Sequence, residues 1–392
     1  MNILFYRYGS ICEPDIITAL WELGHSTTEI TDEITNKGLL PQECIKIVSD
    51  FLLEHPVDAV FSINFFPTLS EVCNIFKIRY LSWIVDSPVM ELYSTSIKNP
   101  YNRVFLFDYV LYQEISPLNP ACIFHLPLAV NVKAKDTVIN TASKQTRYKF
   151  TSEISFVGSL YTEKCPYDRF HSPSGYLSGY LDAIMKAQQK IYGYYFIQNV
   201  LTDDIVADFK AHFPHFYTFP AKSYLTDKIT LSQLYIGNKI TAMERIETMK
   251  ILSENFTTTI YTGSDTSMLP HIQNRGLAKS LTEMPIIFHE SKINLNTTSK
   301  AIRSGLPLRI WDILGSGGFV LSNYQEEIPQ FLKIGEHLDI YSSMEELVDK
   351  CHYYLSHPKE RKEIAEQGFK EVCAHHTYEI RLTNLFSLAF GL

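Results

Sequence analysis

Strand-like and helix-like runs alternate in two separate stretches of this chain, and that alternation restricts its fold more than any other feature. In the first 130 residues the strand-like runs are 3–8, 59–64, 80–85, 104–107 and 123–126. Helix-like stretches at 14–23 and 42–54 lie between the first of them. Leu39-Leu40-Pro41 followed by Glu43 suits a helix start, and Glu54-His55-Pro56 suits its end. Strand, helix, strand in repetition needs crossover connections, which give a parallel sheet covered on both faces. Residues 133–152 are polar and without a consistent period, as in a linker or edge loop. The rhythm then returns, with strand-like runs at 154–157, 257–262, 286–289, 319–322 and 338–341 and a long helical region over 227–255. Three amphipathic helices close the chain. Met344, Leu347, Val348, Cys351, Tyr354 and Leu355 keep the helical spacing, Pro358 opens the second helix, and the third covers 377–390. The prediction is two α/β domains in tandem, a pairing that binds its ligand beyond the carboxyl ends of the strands.

Composition narrows the function classes. With 392 residues the chain can bury a real core without disulfides or metals. Its 35 basic against 43 acidic residues leave a net charge of −8, which disfavours a phosphate-tracking nucleic-acid binder. No window approaches a membrane span, and MNILFYRYGS reads as a first strand rather than a signal peptide. Seven cysteines, an odd number with no C-x-x-C, read as reduced thiols. The expected location is the cytoplasm, so the sequons at Asn255 and Asn296 carry no glycan.

Two strands of the second half run off into the same dipeptide, Gly158-Ser159 and Gly263-Ser264. Glycine lets a ligand approach the backbone, and a serine hydroxyl with free N–H groups suits phosphate oxygens. An ordinary β-to-α turn favours the same residues. The glycines at 315–318 follow a helix and precede a strand, the reverse of a dinucleotide loop, and read as a helix C-cap. Arg309 and Asp312 lie three apart and project from one face. The guanidinium can meet a pyrophosphate and the carboxylate can accept ribose hydroxyls; a surface ion pair has the same spacing. In the first half, Asp86 ends an apolar strand in WIVDSPV, where a carboxylate can deprotonate an acceptor hydroxyl or cap the following turn. His125 ends another strand, as a sugar ligand or a core histidine, and Tyr8-Gly9-Ser10 follows the first. His212 and His215 and the pair His375-His376 lack ligands at metal spacing, so no metal is expected.

Residues 292–383, above all SGLPLRIWDILGSGGFVLSNYQEEIPQFL, the run from Gly335 and the tail HHTYEIRL, resemble the C-terminal half of bacterial group 1 glycosyltransferases of the GT-B fold. The spore-maturation (CgeB-like) branch is the nearest in pattern. ISFVGSLY at 154–161 resembles the first strand and phosphate loop of that half, and HLPLAVN at 125–131 the close of the N-terminal half.

The resemblance implies two Rossmann-like domains facing across a cleft. The N-terminal one, 1–132, is on the acceptor side, with Tyr8, Gly9, Ser10 and His125; 133–152 is the linker. Residues 153–377 would hold the donor, and the helix at 378–392 would pack back on the first domain. The implied function is transfer from a nucleoside-diphosphate sugar, UDP foremost, to a hydroxyl of a surface glycan or of a protein such as flagellin. No cofactor is implied. The donor set would be Gly158, Ser159, Tyr161, Gly263, Ser264, Asn296, Ser304, Gly305, Arg309 and Asp312, with Asp86 and Arg309 catalytic. In the family's Glu-x7-Glu pair, Asp312 takes the ribose-binding place, but the other falls on Ser304, which supplies no carboxylate. A sugar-nucleotide epimerase and a non-catalytic nucleotide-sugar-binding protein are the competing readings.

Overall fold

A computed structural model describes residues 1–171 and 174–391. The chain forms two compact units, each around a six-stranded, wholly parallel sheet. Unit 1 comprises residues 1–130, 219–225 and 376–392; unit 2 holds 131–218 and 226–375.

In unit 1 the strands are β1 (Asn2–Tyr6), β2 (Ser26–Ile30), β3 (Ala59–Ile63), β4 (Arg79–Trp83), β5 (Asn102–Leu106) and β6 (Ile123–His125). Their spatial order is β2-β1-β3-β4-β5-β6. The central strands are apolar because both faces are covered: β3 is buried along its whole length, and Phe5 stacks on Phe61 at 5.1 Å. The direction of travel reverses between β1 and β3, so their carboxyl ends part and leave a crevice. The turn leaving β1 is fixed by Glu13, at the start of helix Glu13–Glu22. This fully buried carboxylate accepts the N–H groups of Tyr8 and Gly9 at 3.0 Å and pairs with Arg7 Nε at 3.0 Å. The closing helix, Tyr378–Phe390, lies in this unit, with Phe386 against the His25 ring at 4.5 Å and Ala389 O accepting from Arg103 Nε at 3.0 Å. Residues 219–225 add a short strap: Ser223 bridges Ser94 in antiparallel sense, Tyr224 N donates to Tyr93 O at 2.7 Å, and the Lys98 ammonium sits 4.8 Å from the Tyr224 ring.

Unit 2 contains β7 (Ser152–Val157), β8 (Thr258–Tyr261), β9 (Gln273–Asn274), β10 (Ser291–Asn296), β11 (Val320–Asn323) and β12 (Asp339–Tyr341), in the order β12-β11-β10-β7-β8-β9. Here the reversal falls between β7 and β10, the topology of a dinucleotide-type half. About a hundred residues are inserted between β7 and β8. They include helices Gly175–Gln189, Asp203–His212 and Gly237–Asn255 and an apolar cluster of their own around Leu181, Phe209 and Tyr235.

Three expectations change. The apolar run 286–289 is helical, within Met284–Glu290, and the strand is the next segment, β10. A four-residue apolar run does not distinguish the two by period, and Pro285 at the first turn favours helix. Residues 133–152, read as a linker, form two helices, Val132–Thr141 and Lys144–Phe150. Their caps are Asn131, whose side chain accepts from Ala134 N at 3.0 Å, and Ser143, which accepts from Thr146 N at 3.1 Å. The third is an added strand: no apolar run marks β2, because STTEI lies at a sheet edge and carries one buried residue.

The glycine run at 315–318 closes helix Leu308–Gly315, as its position predicts. Gly317 takes φ +71°, and a Cβ on Gly318 would lie 2.5 Å from Phe288 O and 2.7 Å from Asn294 Nδ2. Gly318→Ala is therefore expected to cost about 1–3 kcal/mol in chemical denaturation. Glu13→Ala, which strips two backbone N–H groups and Arg7 Nε of their acceptor, should cost about 3 kcal/mol; an unchanged denaturation midpoint would refute this role for Glu13.

Candidate donor and acceptor sites at two topological switch points

At the switch point of unit 2 stands Arg309, on helix Leu308–Gly315. Its Nε donates to Val157 O, the last residue of β7, at 2.7 Å, and Nη1 to Asn296 Oδ1, the last of β10, at 3.0 Å. The guanidinium carbon lies 4.9 Å from the Phe156 ring centroid. Gly158 follows with φ +152°, and a Cβ there would meet Arg309 Nη2 at 2.6 Å. The glycine is needed for this close approach as well as for its backbone angle.

A second guanidinium stands against the same ring. Arg245, buried in helix Gly237–Asn255, lies 5.3 Å from the Phe156 centroid and 4.7 Å from that of Tyr161. It donates to Ser159 O at 2.6 Å and Thr297 O at 2.8 Å, while its buried Nε has no hydrogen-bond partner among the described residues. Both arginines thus hydrogen-bond to neutral oxygens. Burial, and then the neighbouring charge of Arg245, push Arg309 down to about 9, which still leaves it cationic at neutral pH. Two adjacent cations whose hydrogen-bond partners are neutral are chemically suited to an anion. Sequence reasoning missed Arg245: it lies inside a long helix, 18 residues before the nearest strand-end motif, Gly263-Ser264, in no recognisable pattern.

The two Gly-Ser turns are tied to one another. Glu163 accepts from Ser159 Oγ at 2.6 Å and from Ser264 Oγ at 2.8 Å, and Ser264 Oγ also accepts from Leu160 N at 2.8 Å. Burial raises the Glu163 carboxyl, but hydrogen bonds from Ser159, the backbone and Ser264 outweigh it and hold the group below the usual range. Ser264 is buried and engaged inside the fold, and Gly263 is exposed. Tyr161, with φ +67°, turns the loop so that its ring covers Arg245.

Asn296 is fully buried. Its Nδ2 donates to Thr298 Oγ1 and Ser322 Oγ at 2.9 Å, and its oxygen orients Arg309. Ser304 is also buried and donates to Glu327 Oε1 at 2.6 Å, so a carboxylate does stand beside the position where the family pattern has Glu and this chain has serine. Gly305 O accepts from Gln325 Nε2 at 3.3 Å. Asp312 meets Lys135 Nζ at 2.7 Å, an ion pair between two helices of unit 2. Arg309 and Asp312 therefore do not pair with each other. Among the described residues no cluster of His, Cys, Asp or Glu is arranged to hold a metal ion, and no helix is long and apolar enough to cross a membrane.

The switch point of unit 1 is built differently. Tyr8 follows β1, Asn64 follows β3 and Asp86 follows β4 by three residues. Asn64 Nδ2 donates to Tyr8 Oη at 2.8 Å and to Asp86 Oδ2 at 2.7 Å, and Tyr8 Oη lies 3.5 Å from that same carboxylate oxygen. Asp86 is exposed. Burial and the Asp86 charge push the Tyr8 phenol well above its ordinary value, so it stays protonated. Ser10 Oγ contacts the buried Cys12 Sγ at 3.3 Å, and Gly9 takes φ +95° with its N–H on Glu13. His125 packs edge-on against Tyr109, ring centroids 5.2 Å apart. Asn64 is the residue here that sequence reasoning missed. Asparagine at the end of a buried strand is a recognised candidate for left-handed backbone, and that was the available signal.

Residues 252–387 match the model of a family described as glycosyl transferase-like. No curated protein is detectably similar to the chain in sequence. Among solved structures, a glycosyltransferase from Rickettsia africae superimposes with a TM-score of 0.54 at 11% identity, covering 100% of this chain and 99% of its own. The Anabaena HepE protein in complex with UDP and glucose gives 0.55 at 9% identity, covering both chains completely. Sucrose-phosphate synthase from Thermosynechococcus elongatus gives 0.57 at 8% identity, covering 100% of this chain and 99% of that one. The chain has the GT-B fold, and its last third carries the glycosyltransferase-like sequence pattern.

Proposed function

We propose that the chain is a glycosyltransferase of the group 1 type, in the pattern of the spore-maturation branch, that moves a sugar from a UDP-sugar to a hydroxyl of a bacterial glycan or protein. The observation that carries this reading is the Arg309 guanidinium seated on Val157 O and Asn296 Oδ1 beside Gly158, with Arg245 behind it. A diphosphate is the anion that such a fork beside a glycine turn fits best. The family match over 252–387 supports it, as does the GT-B neighbour from Anabaena that holds UDP and glucose. All seven cysteines are free thiols, which supports a reducing, cytoplasmic setting.

In this reading Arg309 and the Gly158-Ser159 backbone bind the diphosphate, and Asp312 accepts the ribose hydroxyls with the oxygen that Lys135 leaves available. Arg245 adds positive potential from behind and holds the loop through Ser159 O. As the acceptor oxygen bonds to the anomeric carbon, the bond from that carbon to the diphosphate oxygen breaks. The bonding electrons leave with UDP, whose growing charge the two guanidiniums stabilise. The acceptor's proton passes to the Asp86 carboxylate.

Calorimetric titration with UDP tests the donor side. Arg309→Ala should weaken UDP binding by about 100-fold, the loss of a bidentate charge-assisted contact. Gly158→Ala should act in the same direction by displacing the guanidinium. Undiminished UDP affinity in Arg309→Ala would remove the basis of this proposal. Ribose recognition has its own measure. The wild type should prefer UDP over 2′-deoxy-UDP, and both Asp312→Asn and Lys135→Gln should shrink that preference while leaving pyrophosphate binding intact.

A further inference from the structure

We infer that Asn64 is a positioning residue for the transfer step: it fixes the Asp86 carboxylate and the Tyr8 hydroxyl side by side, so that the carboxylate is ready to take the proton of an incoming hydroxyl. The inference rests on the sugar-transfer reading above and adds a residue to it.

The argument begins with sheet order. β3 lies between β1 and β4, so a side chain at its carboxyl end is the one within reach of both neighbours. Asn64 is that residue. Its backbone adopts φ +57°, a left-handed conformation that asparagine tolerates better than most side chains, and the surroundings hold it there. Its N–H donates to Trp83 O at 2.9 Å, and its carbonyl accepts the hydroxyls of Ser62 at 2.8 Å and Ser82 at 2.9 Å. The side chain therefore leaves the strand end in one direction.

The orientation of the amide is equally determined. Oδ1 accepts the backbone N–H groups of Val85 at 3.0 Å and Asp86 at 3.3 Å. Those two donors need an oxygen, so the nitrogen faces the other way, toward Asp86 Oδ2 and Tyr8 Oη. A flipped amide would oppose N–H to N–H and oxygen to carboxylate. Each of the two Nδ2 protons has its own acceptor. Because the phenol oxygen accepts from Asn64, the phenol's own proton is directed elsewhere, toward Asp86 or a bound hydroxyl. One amide thus ties together the ends of three strands and leaves an exposed carboxylate with a fixed geometry. A hydroxyl held against such a pair meets an acceptor in Asp86 and a donor in Tyr8, the arrangement that recognises a sugar or serine-type alcohol.

The test uses the full chain and reads UDP release from UDP-glucose, UDP-galactose and UDP-N-acetylglucosamine, with UDP affinity as the control on the donor side. Asn64→Asp keeps the acceptor for Val85 and Asp86 and removes both donors; Asn64→Gly keeps the left-handed backbone and removes the side chain. Both should lower kcat by about 10- to 100-fold, with donor KM and UDP affinity within about two-fold of wild type. In the Asp86→Asn background, Asn64→Gly should produce no further loss, because it acts through the same carboxylate. Wild-type kcat in both Asn64 variants, or a full additional loss in the double variant, would overturn the inference while leaving sugar transfer standing. Full activity in Asp86→Asn would overturn the inference together with the base assignment. A wild-type chain that neither binds UDP nor releases it from any of the three donors would overturn the sugar-transfer reading itself.

Discussion

Holding two cations against one aromatic ring with only neutral oxygens to receive them is the constraint around which unit 2 is organised. Arg309 and Arg245 both face Phe156, and holding two cations side by side at one ring is costly. Several otherwise separate features follow from that arrangement. Asn296 is buried so that its oxygen can hold Arg309, and the carbonyls of Val157, Ser159 and Thr297 are turned toward guanidinium nitrogens. Gly158 lacks a Cβ where Arg309 Nη2 passes. Glu163, the nearest acid of the loop, is occupied by two serine hydroxyls and pairs with neither guanidinium.

The two units obey the same topological rule with opposite chemistry. In each, the chain reverses its direction of travel across the sheet, and polar groups gather where the two strand ends part. Unit 2 fills that place with positive charge. Unit 1 fills it with a carboxylate, a phenol and an amide, groups suited to a neutral hydroxyl. This division suits the transfer proposed above, in which one partner carries a charged leaving group and the other offers a proton.

Much of this architecture was readable beforehand, and the parts that were not have physical reasons. Ten of the twelve strands coincide with or adjoin apolar runs, because a parallel sheet buries both faces of its central strands. β2 and β9 escaped because edge strands bury little, and the two-residue β9 is exposed throughout. The helices at 132–150 have caps that were visible in Asn131 and Ser143, but their faces are too polar to show a period. Asp86 and Tyr8 stood next to recognisable strand ends, and Arg309 stood three residues from Asp312 on a helix of the family pattern. Arg245 and Glu163 did not, since what gives them a role is proximity across the sheet edge and not spacing along the chain. Asp312 was identified as a polar residue of the right helix, yet its pairing with Lys135 joins residues 177 positions apart and leaves no local trace.

The strap at 219–225 has a consequence for how this molecule can be divided. Unit 1 is assembled from three pieces of chain, and the middle one is supplied from within the long insertion of unit 2. A polypeptide ending at residue 130 would lack both the contacts of Tyr224 and Ser223 with Tyr93 and Ser94 and the helix that packs on His25 and accepts from Arg103. Cutting at the first boundary therefore does not yield a separable module. Exchange of unit 1 as a whole would have to carry all three pieces together.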